Sequence, residues 1–385
     1  MVERRRSTVA RRSSPSAALT LTVALALAGC TSSGVDRSPT GASTPPSTQP
    51  PLDEPTVEPW VPDGTAETLV IGLRTPWSVV PLSTGSVLIS ERDTGQVLEL
   101  TAGGAVRVVG VVADVVPGGE GGLLGLAVLD EPTPALYAFH TAASDNRIVR
   151  FDLEGSPGSY ELGASEVLVS GIPKAQNHNG GRLAFGPDGM LYATTGDAQV
   201  PALSQDLDSL AGKILRLTAD GAVPTDNPFT GSYVYSLGHR NPQGIVFDAD
   251  GRLWSSELGQ NTWDELNLIE AGGNYGWPTV EGIDGRPEFV DPVQQCATSE
   301  ASPSGLGLVG GTLFMASLRG QRLWVIDVET PTTSEAYFEQ QLGRIRDAVA
   351  TSDGRLFVLT SNTDANGRPG PDDDRLLLLG LAARG

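Results

Sequence analysis

Two cysteines and three histidines are all that 385 residues contain of these side chains. Two cysteines, Cys30 and Cys296, exclude a disulfide framework. Basic residues are also scarce: 26 Lys and Arg face 46 Asp and Glu, a formal net charge of −20. That balance opposes nucleic acid and anionic membrane surfaces, and it suits solubility outside a cell. A stretch long and apolar enough to span a bilayer is missing too, because the run from Ala17 to Ala28 is too short for a comfortable crossing. Glycine, by contrast, is frequent, with 47 residues. Together with 39% hydrophobic content, this fits a large core joined by many tight turns, and hence an all-β chain.

The N-terminal region reads as an export signal. Arg4, Arg5, Arg6, Arg11 and Arg12 precede the apolar run, which ends in Leu27-Ala28-Gly29-Cys30. Small residues before a cysteine at that place resemble a bacterial lipoprotein signal. The expectation is cleavage after residue 29, lipidation of Cys30, and anchoring at the outer face of the cell membrane. The alternative is an ordinary signal peptide with an incidental cysteine. Residues 30–66 are rich in Ser, Thr, Pro and Gly and cannot bury a core, so they read as a disordered tether. The folded domain is expected from Glu67 to the end.

Within that domain one pattern recurs six times. A turn, most often with glycine, leads into a short apolar run, as in Thr84-Gly85-Ser86-Val87-Leu88-Ile89, Asp188-Gly189-Met190-Leu191-Tyr192-Ala193 and Asp353-Gly354-Arg355-Leu356-Phe357-Val358. Several instances are followed by a second alternating run, such as Lys213-Ile214-Leu215-Arg216-Leu217. Period-two alternation between glycine turns marks strands. Six such units at spacings of about 40 to 60 residues predict a six-bladed β-propeller, where a β-sandwich would not repeat itself.

Polar residues cluster between these units. His178 lies in Gln176-Asn177-His178-Asn179-Gly180-Gly181, off any apolar face, and is a candidate general base. A turn-capping histidine is the competing reading. Asp197, at a strand end in Thr194-Thr195-Gly196-Asp197, is placed to orient an imidazole or simply to close a turn. Arg240 and Asn241 offer donors to an electron-rich oxygen or carboxylate. The loops from Glu257 to Asn267 and from Gly272 to Pro278 combine glycines, carbonyls and carboxylates that suit Ca²⁺, without EF-hand spacing. Arg344 and Arg346 alternate along a strand and so face the same way, which calls for an anion between them or a nearby acid such as Asp347.

In order, Gly122-Leu123-Leu124-Gly125-Leu126, His178-Asn179-Gly180-Gly181-Arg182-Leu183, Gly212-Lys213-Ile214-Leu215-Arg216-Leu217, Gly238-His239-Arg240-Asn241-Pro242-Gln243-Gly244, Gly273-Asn274-Tyr275-Gly276-Trp277-Pro278 and Arg344-Ile345-Arg346-Asp347 resemble the glucose/sorbosone dehydrogenase family, over residues 67 to about 380. The resemblance implies an oxidoreductase that uses pyrroloquinoline quinone (PQQ) and Ca²⁺ to oxidise the anomeric hydroxyl of an aldose to a lactone. It implies a sugar substrate and an electron acceptor that the sequence does not identify. It implies that His178 is the base and Asp197 its support. Arg240 and Asn241 then contact the quinone, while Arg344, Arg346 and Arg319 bind its carboxylates. The carbonyls of Gly259 and Gln260 hold Ca²⁺, with Glu265 and Tyr275 at a structural Ca²⁺. Glu120 and Asn177 stand near the sugar, where better-known members carry other residues. A non-catalytic propeller that binds a glycan or protein, and a Ca²⁺-dependent lactonase, are the rival functions.

Overall fold

A computed structural model describes residues 59–130 and 133–384. Cys30, the signal region and residues 30–58 of the tether lie outside the described residues.

The described residues build 24 strands in six four-stranded antiparallel sheets. After β1 (Trp60–Val70), the first sheet is β2 (Pro76–Pro81), β3 (Val87–Glu91), β4 (Gln96–Leu100) and β5 (Val106–Val111). The second is β6 (Leu123–Leu129), β7 (Ala135–Thr141), β8 (Asn146–Glu154) and β9 (Glu161–Ile172), and the third is β10 (Leu183–Phe185), β11 (Leu191–Thr195), β12 (Lys213–Leu217) and β13 (Val234–Leu237). The fourth is β14 (Pro242–Phe247), β15 (Leu253–Glu257), β16 (Trp263–Ile269) and β17 (Gln294–Ala297), and the fifth is β18 (Pro303–Val309), β19 (Thr312–Ser317), β20 (Arg322–Asp327) and β21 (Glu335–Tyr337). The sixth runs β22 (Ile345–Ala350), β23 (Leu356–Thr360), β24 (Leu376–Ala383) and then β1.

This is the six-bladed propeller that the repeat predicts. The first strands β2, β6, β10, β14, β18 and β22 neighbour one another around the axis. Six apolar layers fill the spaces between consecutive blades, so each blade buries both faces. The second strands β7, β11, β15, β19 and β23 are buried at every residue. They are the apolar runs that stand out in the sequence.

The folded part starts earlier than Glu67. β1 begins at Trp60, and Trp60, Val61 and Pro62 pair with Ala383, Ala382 and Leu381. Residues 63–68 of this strand are exposed on the outer edge of the sixth blade, so they show no hydrophobic alternation. The backbone ladder to β24 holds them in place. An N-terminal strand completing a C-terminal blade also closes the ring, which leaves only short edges.

Strand direction decides where function gathers. In an antiparallel blade the start of the first strand and the end of the second lie at the same end. Loops entering the first strands and loops leaving the second strands therefore converge on one mouth of the channel.

Candidate active site

That mouth holds a cavity of about 510 Å³. Arg92, Arg319, Arg344 and Arg346 line it, against the carboxylates of Glu120 and Asp364. Four guanidinium groups facing two carboxylates, in so acidic a chain, mark a built site for an anion. Trp77 and Gln243 complete its floor.

His178 enters from the loop between β9 and β10, with φ at 63°. A non-glycine residue in that region is held by its surroundings. The backbone N–H of His178 donates to Glu120 Oε2 at 2.9 Å. Its Nδ1 lies 2.7 Å from Asp197 Oδ1. Asp197 follows β11 and is fully buried; Trp277 Nε1 donates to its other oxygen at 2.9 Å, and the Gln199 N–H donates to Oδ1 at 2.8 Å. Burial pushes the Asp197 carboxyl upward, but the hydrogen bonds from His178, Trp277 and Gln199 outweigh it and hold the group below the usual range. An ionised Asp197 fixes the proton of His178 on Nδ1 and leaves Nε2 as a hydrogen-bond acceptor.

Nε2 faces a donor. Arg240 Nη2 lies 2.9 Å from it, and Arg240 Nη1 donates to the carbonyls of Leu258, at 3.0 Å, and Gly259. Arg240 is placed by its own backbone N–H, which donates to Glu257, and it lies over the Trp277 ring at 5.6 Å. One arginine thus bridges the imidazole and the Gly259 loop. Glu281 shapes that loop: its Oε1 accepts the N–H groups of Gln260, Asn261, Thr262 and Trp263.

Arg344 and Arg346 meet over one acid, Asp364. Arg344 donates to Asp364 Oδ2 at 3.1 and 3.2 Å, and Arg346 does so at 3.4 Å. The acid is not Asp347. Adjacent strand residues point to opposite faces, so Asp347 turns away and accepts from Arg182 Nη1 at 2.8 Å. Arg346 also donates to Gln243 Oε1 at 3.0 Å, while its buried Nε has no partner among the described residues. Burial lowers the Arg346 guanidinium to about 9, with Asp364 opposing and Arg92 and Arg344 adding to the shift. Arg319 stands exposed on the rim, after β19.

The remaining predicted residues take different places. Asn177 lines the cavity beside Glu120. Asn241 is buried, its oxygen accepting from the Gly180 N–H at 3.0 Å and its amide donating to Glu120 Oε2 at 3.3 Å. It braces the histidine loop from beneath. Gln260 is exposed. Glu265 faces Glu257 across the β15–β16 ladder. It accepts from Gly282 N at 2.7 Å and from Asn267 Nδ2 at 3.1 Å, and burial, then the Glu257 charge, push its carboxyl up to about 8. The Tyr275 ring stacks on His239, its hydroxyl donates to Leu268 O at 2.6 Å and its backbone N–H donates to Leu237 O at 2.9 Å, so the backbone carbonyl is the group left for a cation. Among the described residues no cluster of three His, Cys, Asp or Glu side chains is arranged for a metal.

Sequence reasoning passed over Arg92, Trp77, Gln243, Asp364 and Trp277. The signal that finds three of the site's charged residues is positional. Arg92, Arg319 and Asp364 each follow the second strand of a blade, as Asp197 does.

Comparison with known proteins places this site in a wider set. The family described as Glucose / Sorbosone dehydrogenase matches residues 73–370. A solved PQQ-bound aldose sugar dehydrogenase from Streptomyces coelicolor is 46% identical, with a TM-score of 0.80, covering 84% of this chain and 100% of that one. The soluble aldose sugar dehydrogenase from Escherichia coli, solved in its apo-form, is 27% identical with a TM-score of 0.71, covering 83% and 99%. Quinoprotein glucose dehydrogenase B of Acinetobacter calcoaceticus is 35% identical over 251 residues, which are 56% of this chain and 52% of that protein. The match therefore spans about half the length of that curated relative.

Proposed function

Since this chain belongs to the glucose/sorbosone dehydrogenase family, we propose that it oxidises an aldose at the anomeric carbon, with PQQ and Ca²⁺ as cofactors. The observation that carries this reading is the His178–Asp197 pair, 2.7 Å long, beside a cavity lined by four arginines.

The residues present fit both groups. PQQ is a planar polycarboxylate, and Arg319, Arg344 and Arg346 offer guanidinium donors to it, including the unpartnered Nε of Arg346. Carbonyl oxygens are the hard donors that Ca²⁺ takes. The carbonyl of Gly259 already faces a cation, Arg240, and Gly259 and Gln260 would hold the metal. A second cation would suit Glu265 together with the buried Asn267 Oδ1, which has no partner among the described residues and whose amide donates to Glu265.

Held by Arg319, Arg344 and Arg346, the quinone would supply the hydride acceptor, and a metal held at Gly259 and Gln260 would supply Lewis-acid polarisation. The protein's own part is positional and electrostatic. His178 Nε2 takes the proton of the anomeric hydroxyl as the C–H hydride departs, which turns the aldose into its lactone. Asp197 holds the imidazole in the accepting tautomer and stabilises the imidazolium that forms. Arg240, within reach of Nε2, contacts the reacting oxygens. Glu120 and Asn177 form the wall where sugar hydroxyls bind. The electrons then pass to a separate acceptor. The Leu27-Ala28-Gly29-Cys30 motif supports export and lipid anchoring outside the membrane.

The test is reconstitution. Purified protein with PQQ and Ca²⁺ should reduce an electron-accepting dye with at least one aldose from a panel, and only when both cofactors are present. PQQ binding without dye reduction for any aldose contradicts the proposal.

A further inference from the structure

Arg92 lines the cavity with Arg344 and Arg346, yet the proposed function gives it no ligand of its own. It follows β3 in a fixed backbone position: its N–H donates to Thr75 O at 3.0 Å, and its carbonyl accepts from Leu123 N at 2.9 Å. Its side chain is 9% exposed. The guanidinium meets one carboxylate, Asp93, at 2.7 Å. Asp93 is 45% exposed and takes no part in the cavity wall. Of the two acids that line the cavity, Glu120 accepts from the His178 N–H and the Asn241 amide, and Asp364 is already divided between Arg344 and Arg346. Positive charge inside the mouth therefore exceeds the negative charge that the protein places there.

We infer that Arg92 is a fourth anion-binding side chain of the cofactor site, directed at a carboxylate of the bound quinone from the first blade, which flanks the sixth blade's Arg344 and Arg346 on the side away from Arg319. The assignment rests on the PQQ reading above. It gives the site cations from three consecutive blades, the fifth, sixth and first, so that a flat polycarboxylate is held by several contacts along one side and cannot pivot about a single one. Asp93 acts as a counterweight. It orients Arg92 through two oxygens, at 2.7 and 3.3 Å, and offsets part of its charge from the solvent side.

PQQ titration monitored by tryptophan fluorescence, in Ca²⁺ buffer, distinguishes this role from a structural one. Arg92→Ala should weaken PQQ binding about ten-fold, the loss of one charge-assisted contact. Arg92→Lys should recover part of it. Asp93→Asn should tighten binding several-fold, because it leaves Arg92 with an unopposed charge. Melting temperatures taken on the same samples confirm that each variant is folded. A structural Arg92–Asp93 pair makes both Arg92→Ala and Asp93→Asn weaken binding together, and that outcome overturns the inference. So does an Arg92→Ala affinity within about two-fold of wild type while Arg344→Ala is weakened. If the wild type takes up no PQQ, the cofactor reading falls, and this assignment falls with it.

Discussion

His178 Nδ1 and Asp197 Oδ1 sit 2.7 Å apart although they come from different loops, one entering β10 and the other leaving β11. The contact commits the imidazole to one tautomer, and Trp277 commits the carboxylate to one rotamer. Asp197→Asn keeps the shape and removes the charge that stabilises the imidazolium. Dye reduction should fall by about 10²- to 10⁴-fold, with PQQ affinity little changed. A variant that loses both together marks Asp197 as a scaffold residue.

Glu265 gives a prediction about pH. Burial first, and the Glu257 charge second, push its folded carboxyl up from an ordinary 4.5 to about 8. An acid raised in the folded state costs stability as pH rises through the interval between the two values. The unfolded chain ionises it early, while the folded chain holds the proton. Without Ca²⁺, Glu265→Gln should therefore gain stability relative to wild type from about pH 4.5 upward and level off above about 8. Adding Ca²⁺, which favours the ionised form, should stabilise wild type at neutral pH and not the variant. Parallel melting-temperature curves for the two proteins, with and without Ca²⁺, contradict this account.

The blades were legible because their second strands are buried on both faces. β3, β7, β11, β15, β19 and β23 are the six apolar runs that follow the turns. The first strands were not. β10 has three residues, and β2 begins and ends in proline, so neither carries a period. Only the end of β1, from about Glu67, was legible, because solvent covers most of the rest of it. In the site, His178, Arg344 and Arg346 announced themselves by residue type in polar surroundings. Their partners did not. Arg92 and Arg346 are far apart in sequence, and only ring closure brings the first and sixth blades together. The suggestion of Asp347 as a nearby neutralising acid, the alternative to an anion between the arginines, failed for a local reason: a neighbour on a strand points to the other face, and Asp364, eighteen residues after Arg346, supplies the charge instead.

The proposed anchor is tested by Cys30→Ala. The variant should leave the membrane fraction and appear in soluble form, with the propeller's melting temperature unchanged. Identical fractionation of wild type and variant contradicts lipidation at Cys30.

The most direct measurement is a paired one on His178→Asn: PQQ affinity by titration and aldose turnover by dye reduction in the same preparation. Asparagine retains hydrogen-bonding capacity but cannot take a proton near neutral pH. The account predicts near-normal PQQ binding, since the arginines hold the cofactor, with turnover lower by about 10²- to 10⁴-fold. Turnover close to wild type would show that His178 only caps its loop and that the base lies elsewhere.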